Sequence, residues 1–406
     1  MVASSGGAAN LAVQGILERL AQKEWLIGDL DWETLMAVGA PRSPSGFLRR
    51  EVTARYNHNG YDWDIHGTLY TPFRNARPGY AFVLIHGGGV NELDFYETPD
   101  GRPGLAAVIA AQGFEVLTPS YPGLWPPGGK WAKPVTERKP CYLLDRDLPD
   151  AEIEDRLLKA TYQVYMHGIG LLVEKCLPRR KIFSHGHSTG GPMSADLHKY
   201  LTTSTVVGIL GWGSGGPDGW ILNWRTEYAP PSAIRPIKSL TEITYRTVDE
   251  YRNRLGYEDL PELTPWGRLE ERFEITRDTT PTFNPPLQNL SHMGTKEQLD
   301  AYQHATGLPH EEYFGHLGEP DPAFLESIKV LLLVGENDVN HWKAGGNGAE
   351  ERQDGYVAKR YAEKTRGAHL IVVPKFTHMA HWALHNETIA HLWLWAVESG
   401  YFDCPD

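Results

Sequence analysis

The sequence predicts an α/β protein with a mostly parallel β-sheet. Residues 80–85 form a continuous apolar run that breaks abruptly at a stretch of three glycines. Short apolar runs then alternate with helical patterns as far as residue 210, and the alternation resumes at residue 329. A strand that is buried on both faces of a parallel sheet has such an unbroken apolar run. Strands that alternate with helices form right-handed βαβ units.

Two elements precede this alternation. Residues 1–46 have helical periodicity, and we expect them to form a helical N-terminal extension. Residues 47–70 contain two alternating runs on either side of residues 57–60, whose Asn-His-Asn-Gly sequence is typical of a tight turn. These runs predict an antiparallel hairpin.

The remaining elements belong to the alternating pattern. In chain order, we expect strands at 80–85, 115–118, 181–184, 206–210, 329–334 and 369–373. The expected helices lie at 105–112, 150–177, 189–201 and 349–365, and in a closing segment that ends near residue 399. Alternation stops between 217 and 325, where Pro, Trp and Tyr mix with charged residues. The expected domains are therefore an α/β core formed by 47–216 and 326–406, with a lid inserted at 217–325.

Charge, hydropathy and cysteine content exclude several classes of function. The net charge is -12 and no run of Lys and Arg occurs, so nucleic acid is not an expected partner. No stretch is apolar enough to span a bilayer, and the first residues lack the features of a signal peptide. The three cysteines are far apart and odd in number, which favours free thiols. We expect a cytoplasmic protein without membrane association, and the N-terminal extension leaves a homodimer open.

The strongest chemical signal is a Gly-x-Ser-x-Gly motif at residues 186–190, the nucleophile elbow. It lies between a short apolar strand and a helix, which is the context in which this motif carries a nucleophile. Ser188 would sit on a sharp turn, and Gly186 and Gly190 would let the strand and the helix approach closely. We expect Ser188 to be a catalytic nucleophile.

A loop with three glycines, residues 86–89, is a candidate oxyanion hole. Backbone N–H groups that point at the developing oxyanion stabilise acyl-transfer transition states. The first donor would be the N–H of Thr189, and the second would come from Gly88 or Gly89. A nucleotide-binding loop is disfavoured because no Lys-Ser/Thr pair follows these glycines.

A serine nucleophile needs a general base and an acid that orients the base. The loop after the strand at 329–334 contains Glu336 and Asp338, and we predict Asp338 as the acid with Glu336 as its rival and Asp218 as a third candidate. The segment after the last strand contains His378 and His381, and His378 is the predicted base because it comes first.

The same histidines raise the alternative of a metal site. His378, His381 and His385 are closely spaced, and His187 forms a His-Gly-His sequence with His185. Neither group has the further ligands that a metal motif requires, since there is no His-Glu-x-x-His and no Asp after His187. We therefore expect no metal and no other cofactor.

Taken together, these motifs resemble the α/β-hydrolase superfamily over residues 47–401, apart from the lid. The matching segments are residues 86–89, 186–190, 335–338 and His378. The resemblance implies an eight-stranded, mostly parallel sheet and hydrolysis through an acyl-enzyme. Thr377 precedes the predicted base, where many relatives have Gly. The elbow also differs from the Gly-Asp-Ser-Ala-Gly of relatives of hormone-sensitive lipase.

The predicted reaction is hydrolysis of an ester or lactone of a small molecule. The lid is rich in aromatic residues, which favours a medium-sized apolar or aromatic substrate. Candidate substrate contacts are Trp220, Trp224, His187 and Tyr121. Two alternatives stay open: cleavage of a carbon–carbon bond next to a carbonyl by the same triad, and a ligand-binding protein that has the fold without turnover.

Overall fold

An eight-stranded sheet with the strand order β1-β2-β4-β3-β5-β6-β7-β8 organises the molecule. The computed structural model describes residues 46–75, 78–87, 92–96, 103–122, 149, 155–156, 159–188, 190–213, 303–304, 306–309, 311–312, 322–336, 338, 367–373, 378, 392, 395–396 and 399–401. Nearly all of the N-terminal extension and of the predicted lid lies outside the described residues, as does the predicted helix at 349–365.

The first two strands form the predicted hairpin at one edge of the sheet. Strands β1 (Phe47–His58) and β2 (Tyr61–Pro72) pair in antiparallel register. Asn59 and Gly60 form the two-residue turn between them with φ values of 51° and 80°. Two successive residues with positive φ define the turn that suits a twisted hairpin, and Asn-Gly is its preferred sequence.

The other six strands are parallel to one another, as predicted. They are β3 (Tyr80–Ile85), β4 (Glu115–Pro119), β5 (Lys181–His187), β6 (Thr205–Trp212), β7 (Lys329–Gly335) and β8 (Gly367–Val373). Their described α-helices are α1 (Leu105–Ala111), α2 (Tyr162–Cys176), α3 (Gly190–Asp196) and α4 (Pro322–Ser327). None of the helices in the described ranges is both long enough and apolar enough to cross a membrane.

Two predicted helices differ from the structure in detail. The helix expected at 150–177 is interrupted at Ala160 and Thr161, and α2 begins only after them. The Thr161 side chain accepts a hydrogen bond from Val164 N, which makes it the N-cap of α2. The helix expected at 189–201 is α-helical only to Asp196 and continues as a 3-10 turn over Leu197–Tyr200.

Both faces of the parallel sheet are covered by helices. In β3, Ala81, Val83 and Ile85 pack on the side of α2, whereas Phe82 and Leu84 pack on the side of α1. All five side chains are at most 1% exposed. This burial on both faces explains why β3 is an unbroken apolar run.

The edge hairpin extends beyond the parallel strands on the side where the site lies. Strand β2 pairs with β4 only from Gly67 to Tyr70, and Gly67 lies opposite Pro119, the last residue of β4. The first residues of β2 therefore continue past the carboxyl end of β4. There, Ser120 N donates a hydrogen bond to His66 O at 2.9 Å.

Candidate active site

Ser188 occupies a sharp turn between β5 and α3. Its φ is 53°, in the left-handed region that costs a residue with a Cβ about 1 to 2 kcal/mol. Ser188 N donates to Trp212 O at 3.1 Å, and Gly191 N donates to Ser188 O at 3.0 Å. The backbone on both sides of the turn thus holds a strained serine at the carboxyl end of the central strand. Such strain is typical of functional positions.

The two glycines of the elbow lie where a side chain would not fit. A Cβ at Gly186 would lie 2.1 Å from the carbonyl oxygen of Gly190. A Cβ at Gly190 would lie 2.4 Å from the carbonyl oxygen of Ile85. These contacts are with backbone atoms, which have little freedom to move. The Gly-x-Ser-x-Gly pattern is therefore required by the close approach of α3 to β5 and β3.

A buried histidine–carboxylate pair lies at the same edge of the sheet. His378 Nδ1 is 3.0 Å from Asp338 Oδ2, and the two side chains are 8% and 0% exposed. Since a carboxylate only accepts, Nδ1 carries the hydrogen and Nε2 keeps its lone pair when the imidazole is neutral. The rival acid Glu336 is exposed. The rival base His381 lies outside the described residues.

His187 and Gly213 bring this pair next to the elbow. The Nε2–H of His187 donates to the carbonyl oxygen of His378 at 3.1 Å, and the centroids of the two rings are 4.7 Å apart. Gly213 follows β6 with a φ of 54°, and a Cβ there would lie 3.0 Å from His378 Nδ1. His187, a predicted substrate contact, is 2% exposed and directs one ring nitrogen at the backbone of His378.

The start of the glycine loop (residues 86–89) lies against Ser188. A Cβ at Gly87 would lie 2.9 Å from the Cβ of Ser188. His86 Nδ1–H donates to Gly87 O at 2.8 Å, and Tyr121 donates its hydroxyl hydrogen to His86 O. Tyr121, a predicted substrate contact, is fully buried, and its hydroxyl contacts the first residue of the glycine loop.

Burial fixes the protonation state of His86. The side chain is 0% exposed, and this burial lowers its pKa to about 4 against the opposing attraction of Glu92. His86 is therefore neutral at neutral pH, with its hydrogen on Nδ1. The glycine loop thus begins with a fixed hydrogen bond from an uncharged ring.

The family assignment follows from a family model described as "Alpha/beta hydrolase family", which matches residues 82–391, more than half of the chain. The chain belongs to the alpha/beta hydrolase family. A bromoperoxidase from Bacillus anthracis is similar to this hydrolase, at 15% identity and a TM-score of 0.45, over 85% of this chain and 99% of that one.

Two further solved structures are similar to this hydrolase. The esterase RhEst1 from Rhodococcus sp. ECU1013 is 12% identical, with a TM-score of 0.44, over 86% of this chain and 97% of that one. MenH from S. aureus is 11% identical, with a TM-score of 0.44, over 81% of this chain and 97% of that one. No curated protein matches the sequence.

Several predicted site residues of the hydrolase lie outside the described part of the chain. They are Thr189, Gly88, Gly89, Trp220 and Trp224. Within the described ranges, no three His, Cys, Asp or Glu side chains converge as metal ligands would.

Sequence reasoning missed three residues that the structure brings to the site, Gly213, His66 and Glu92. For Gly213, the available signal was a glycine at the carboxyl end of a predicted parallel strand. His66 and Glu92 meet only through tertiary contacts, so the sequence pattern contains no signal for them.

Proposed function

We propose that this protein is a serine hydrolase that cleaves an ester or lactone through an acyl-enzyme, with Ser188, His378 and Asp338 as its triad. The observation that carries the proposal is the buried pair of His378 and Asp338 beside a serine held at a φ of 53°. A strained nucleophile turn and a carboxylate-oriented imidazole are the two parts that such chemistry needs.

The proposed mechanism uses the ring tautomer that the Asp338 contact selects. Ser188 Oγ attacks the carbonyl carbon while His378 Nε2 accepts the hydroxyl proton, and Asp338 stabilises the resulting imidazolium through Nδ1–H. The imidazolium then gives that proton to the leaving alkoxide as the carbon–oxygen bond breaks. Water attacks the acyl-enzyme with the roles reversed. It releases the acid and restores Ser188.

The oxyanion would be stabilised by backbone N–H groups on both sides of the nucleophile. We assign these donors to Thr189 and to Gly88, with Gly89 as the alternative for the second donor. The contact between Gly87 and Ser188 supports this assignment because it brings the glycine loop within van der Waals distance of the nucleophile. Each such donor contributes on the order of 3 kcal/mol to transition-state stabilisation.

The proposed substrate is a small molecule with a medium-sized apolar or aromatic group. This part of the proposal rests on the aromatic composition of residues 217–325, which include Trp220 and Trp224. Aromatic side chains bind apolar groups over a large area with little loss of entropy. A panel of aryl esters, aryl lactones and β-diketones would also test the alternative of carbon–carbon bond hydrolysis.

The test of the nucleophile is covalent labelling with a fluorophosphonate. We expect the intact mass to increase by one phosphonyl group and peptide mapping to place it on Ser188, with no adduct on a Ser188→Ala variant. The matched control is Ser204→Ala, since Ser204 is buried and donates to Leu177 O before β6, far from the elbow. This control should label like the wild type. A folded wild-type protein that takes no label, or takes it elsewhere, would refute the assignment.

A further inference from the structure

A buried cluster of one carboxylate and two imidazoles lies beside the start of the glycine loop. It contains Glu92 in a short 3-10 turn just after the loop, His66 on β2, and His86 at the start of the loop. As whole residues, all three are at most 4% exposed. The triad mechanism assigns no role to Glu92 or His66.

Glu92 and His66 form a buried contact between a carboxylate and an imidazole. His66 Nε2 lies 3.2 Å from Glu92 Oε1, and the two side chains are 5% and 2% exposed. Burial by itself raises the pKa of Glu92, but the attraction of His66, followed by that of His86, outweighs it and leaves the pKa below its usual value. Glu92 is therefore an ionised carboxylate in the protein interior.

Two buried contacts flank the glycine loop in the sequence. Before it, Tyr121 donates to the carbonyl oxygen of His86, and Gly87 lies against Ser188. After it, five residues beyond Gly87, Glu92 contacts His66. The two contacts are linked to each other, because the N–H of Ser120, the residue before Tyr121, donates to His66 O.

Stability alone is a poor reason for such a pair. Removing the charge of Glu92 from water costs several kcal/mol, and apolar residues of similar size often replace buried charged groups without loss of stability. A buried carboxylate with a specific polar partner does fix a geometry more narrowly than apolar contacts do, and an oxyanion hole depends on geometry. Its donors must lie within a few tenths of an ångström of their hydrogen-bonding position.

We infer that Glu92 and His66 are positioning residues, which hold the glycine loop in the geometry that stabilises the oxyanion. The inference rests on the proposed function. Neither side chain is expected to touch the substrate, and both act through the backbone at residues 86–92. Loss of the pair should slow the reaction of Ser188 because the oxyanion donor on the loop is no longer held in place.

The test is the second-order rate constant for labelling of Ser188 by a fluorophosphonate, whose phosphoryl oxygen occupies the oxyanion hole. We expect Glu92→Gln to lower this rate constant about 10- to 100-fold, less than or comparable with the loss of one donor. The matched control is Glu115→Gln, which breaks the ion contact of Glu115 with Arg180 (2.7 Å) at the start of β4, away from the site. The control should label within about twofold of the wild type.

A second variant separates positioning from stability. The double variant His66→Leu/Glu92→Met has no buried charge at this place, so it should unfold at a temperature close to that of the wild type. It should still label about 10-fold or more slowly, because apolar contacts do not restore the loop geometry. For any ester that the wild type hydrolyses, the loss should fall on kcat and leave KM nearly unchanged.

The outcomes are distinct. Slow labelling of both variants with a normal Glu115→Gln control supports the inference. A folded double variant that labels as fast as the wild type overturns it and leaves the proposed triad intact. Failure of the wild type itself to label Ser188 refutes the proposed function, and the inference with it.

Discussion

Replacing Gly213 with alanine would test how closely the backbone after β6 supports the base of the proposed triad. Gly213 N donates to Leu333 O at 2.9 Å, so this residue joins the ends of β6 and β7. A Cβ at this position would lie 3.0 Å from both Nδ1 and the carbonyl oxygen of His378, and 3.3 Å from Asp338 Oδ2. The new methyl group would therefore touch both members of the buried pair.

The size of the effect follows from two contributions. A φ of 54° costs an alanine about 1 kcal/mol of folding free energy relative to glycine. Atoms in van der Waals contact lie about 3.5 Å apart, so the imidazole must move by roughly 0.5 Å. A misplacement of 1 Å costs about 100-fold in rate, and half of it corresponds to roughly tenfold.

The assay compares unfolding free energy with the rate of fluorophosphonate labelling. The matched control is Gly307→Ala, because Gly307 also has a positive φ, 70°, but a Cβ there would meet no atom within 4 Å beyond its chain neighbours. We expect both variants to lose about 1 kcal/mol of stability. Only Gly213→Ala should also lose about tenfold in labelling rate. If its labelling matches that of Gly307→Ala, the position of His378 does not depend on this contact and the reasoning is wrong.

Two more predictions concern charge and protonation. Asp338→Asn should lower the labelling rate by about 10³- to 10⁴-fold, because an amide does not stabilise the imidazolium of His378. Asp64→Asn, which breaks the ion pair between Asp64 and the exposed Arg55, should leave the labelling rate unchanged. Burial lowers the pKa of His86 from 6.5 to about 4. Between these two pH values the folded state binds fewer protons than the unfolded state, so stability falls as the pH drops through this window. His86→Gln should remove up to about 1.4 kcal/mol per pH unit from the slope of unfolding free energy against pH, measured by denaturant titration. Equal slopes would contradict the neutral assignment of His86.

The sequence predicted the sheet well because the strands bury both faces. The apolar run at 80–85 coincides with β3, and Asn59-Gly60 specified the hairpin turn through its backbone preference. The predicted bounds of the helix at 150–177 were less accurate. The Asn59 side chain donates to Lys159 O, and Thr161 caps α2, so a contact across the fold and a local cap end one helical stretch and begin the next.

The candidate site could be predicted only where local sequence determines it. Ser188, Asp338 and His378 each follow a parallel strand, so their shared edge was expected from the order of elements. The choice between Glu336 and Asp338 depends on the distance from each carboxylate to His378, which the sequence does not contain. Tyr121 was expected at the substrate because it follows β4, and no local pattern reveals that its hydroxyl donates to His86 O, directly after β3.

The left-handed backbone of Ser188 sets selection for stability against selection for activity. Glycine adopts a φ of 53° without the steric penalty of a Cβ, so glycine at this position would relieve the turn while removing the proposed nucleophile. Directed evolution toward heat resistance alone would then reward the loss of the Ser188 hydroxyl. A programme that aims at a more robust catalyst should keep residue 188 invariant in its libraries and introduce its diversity elsewhere.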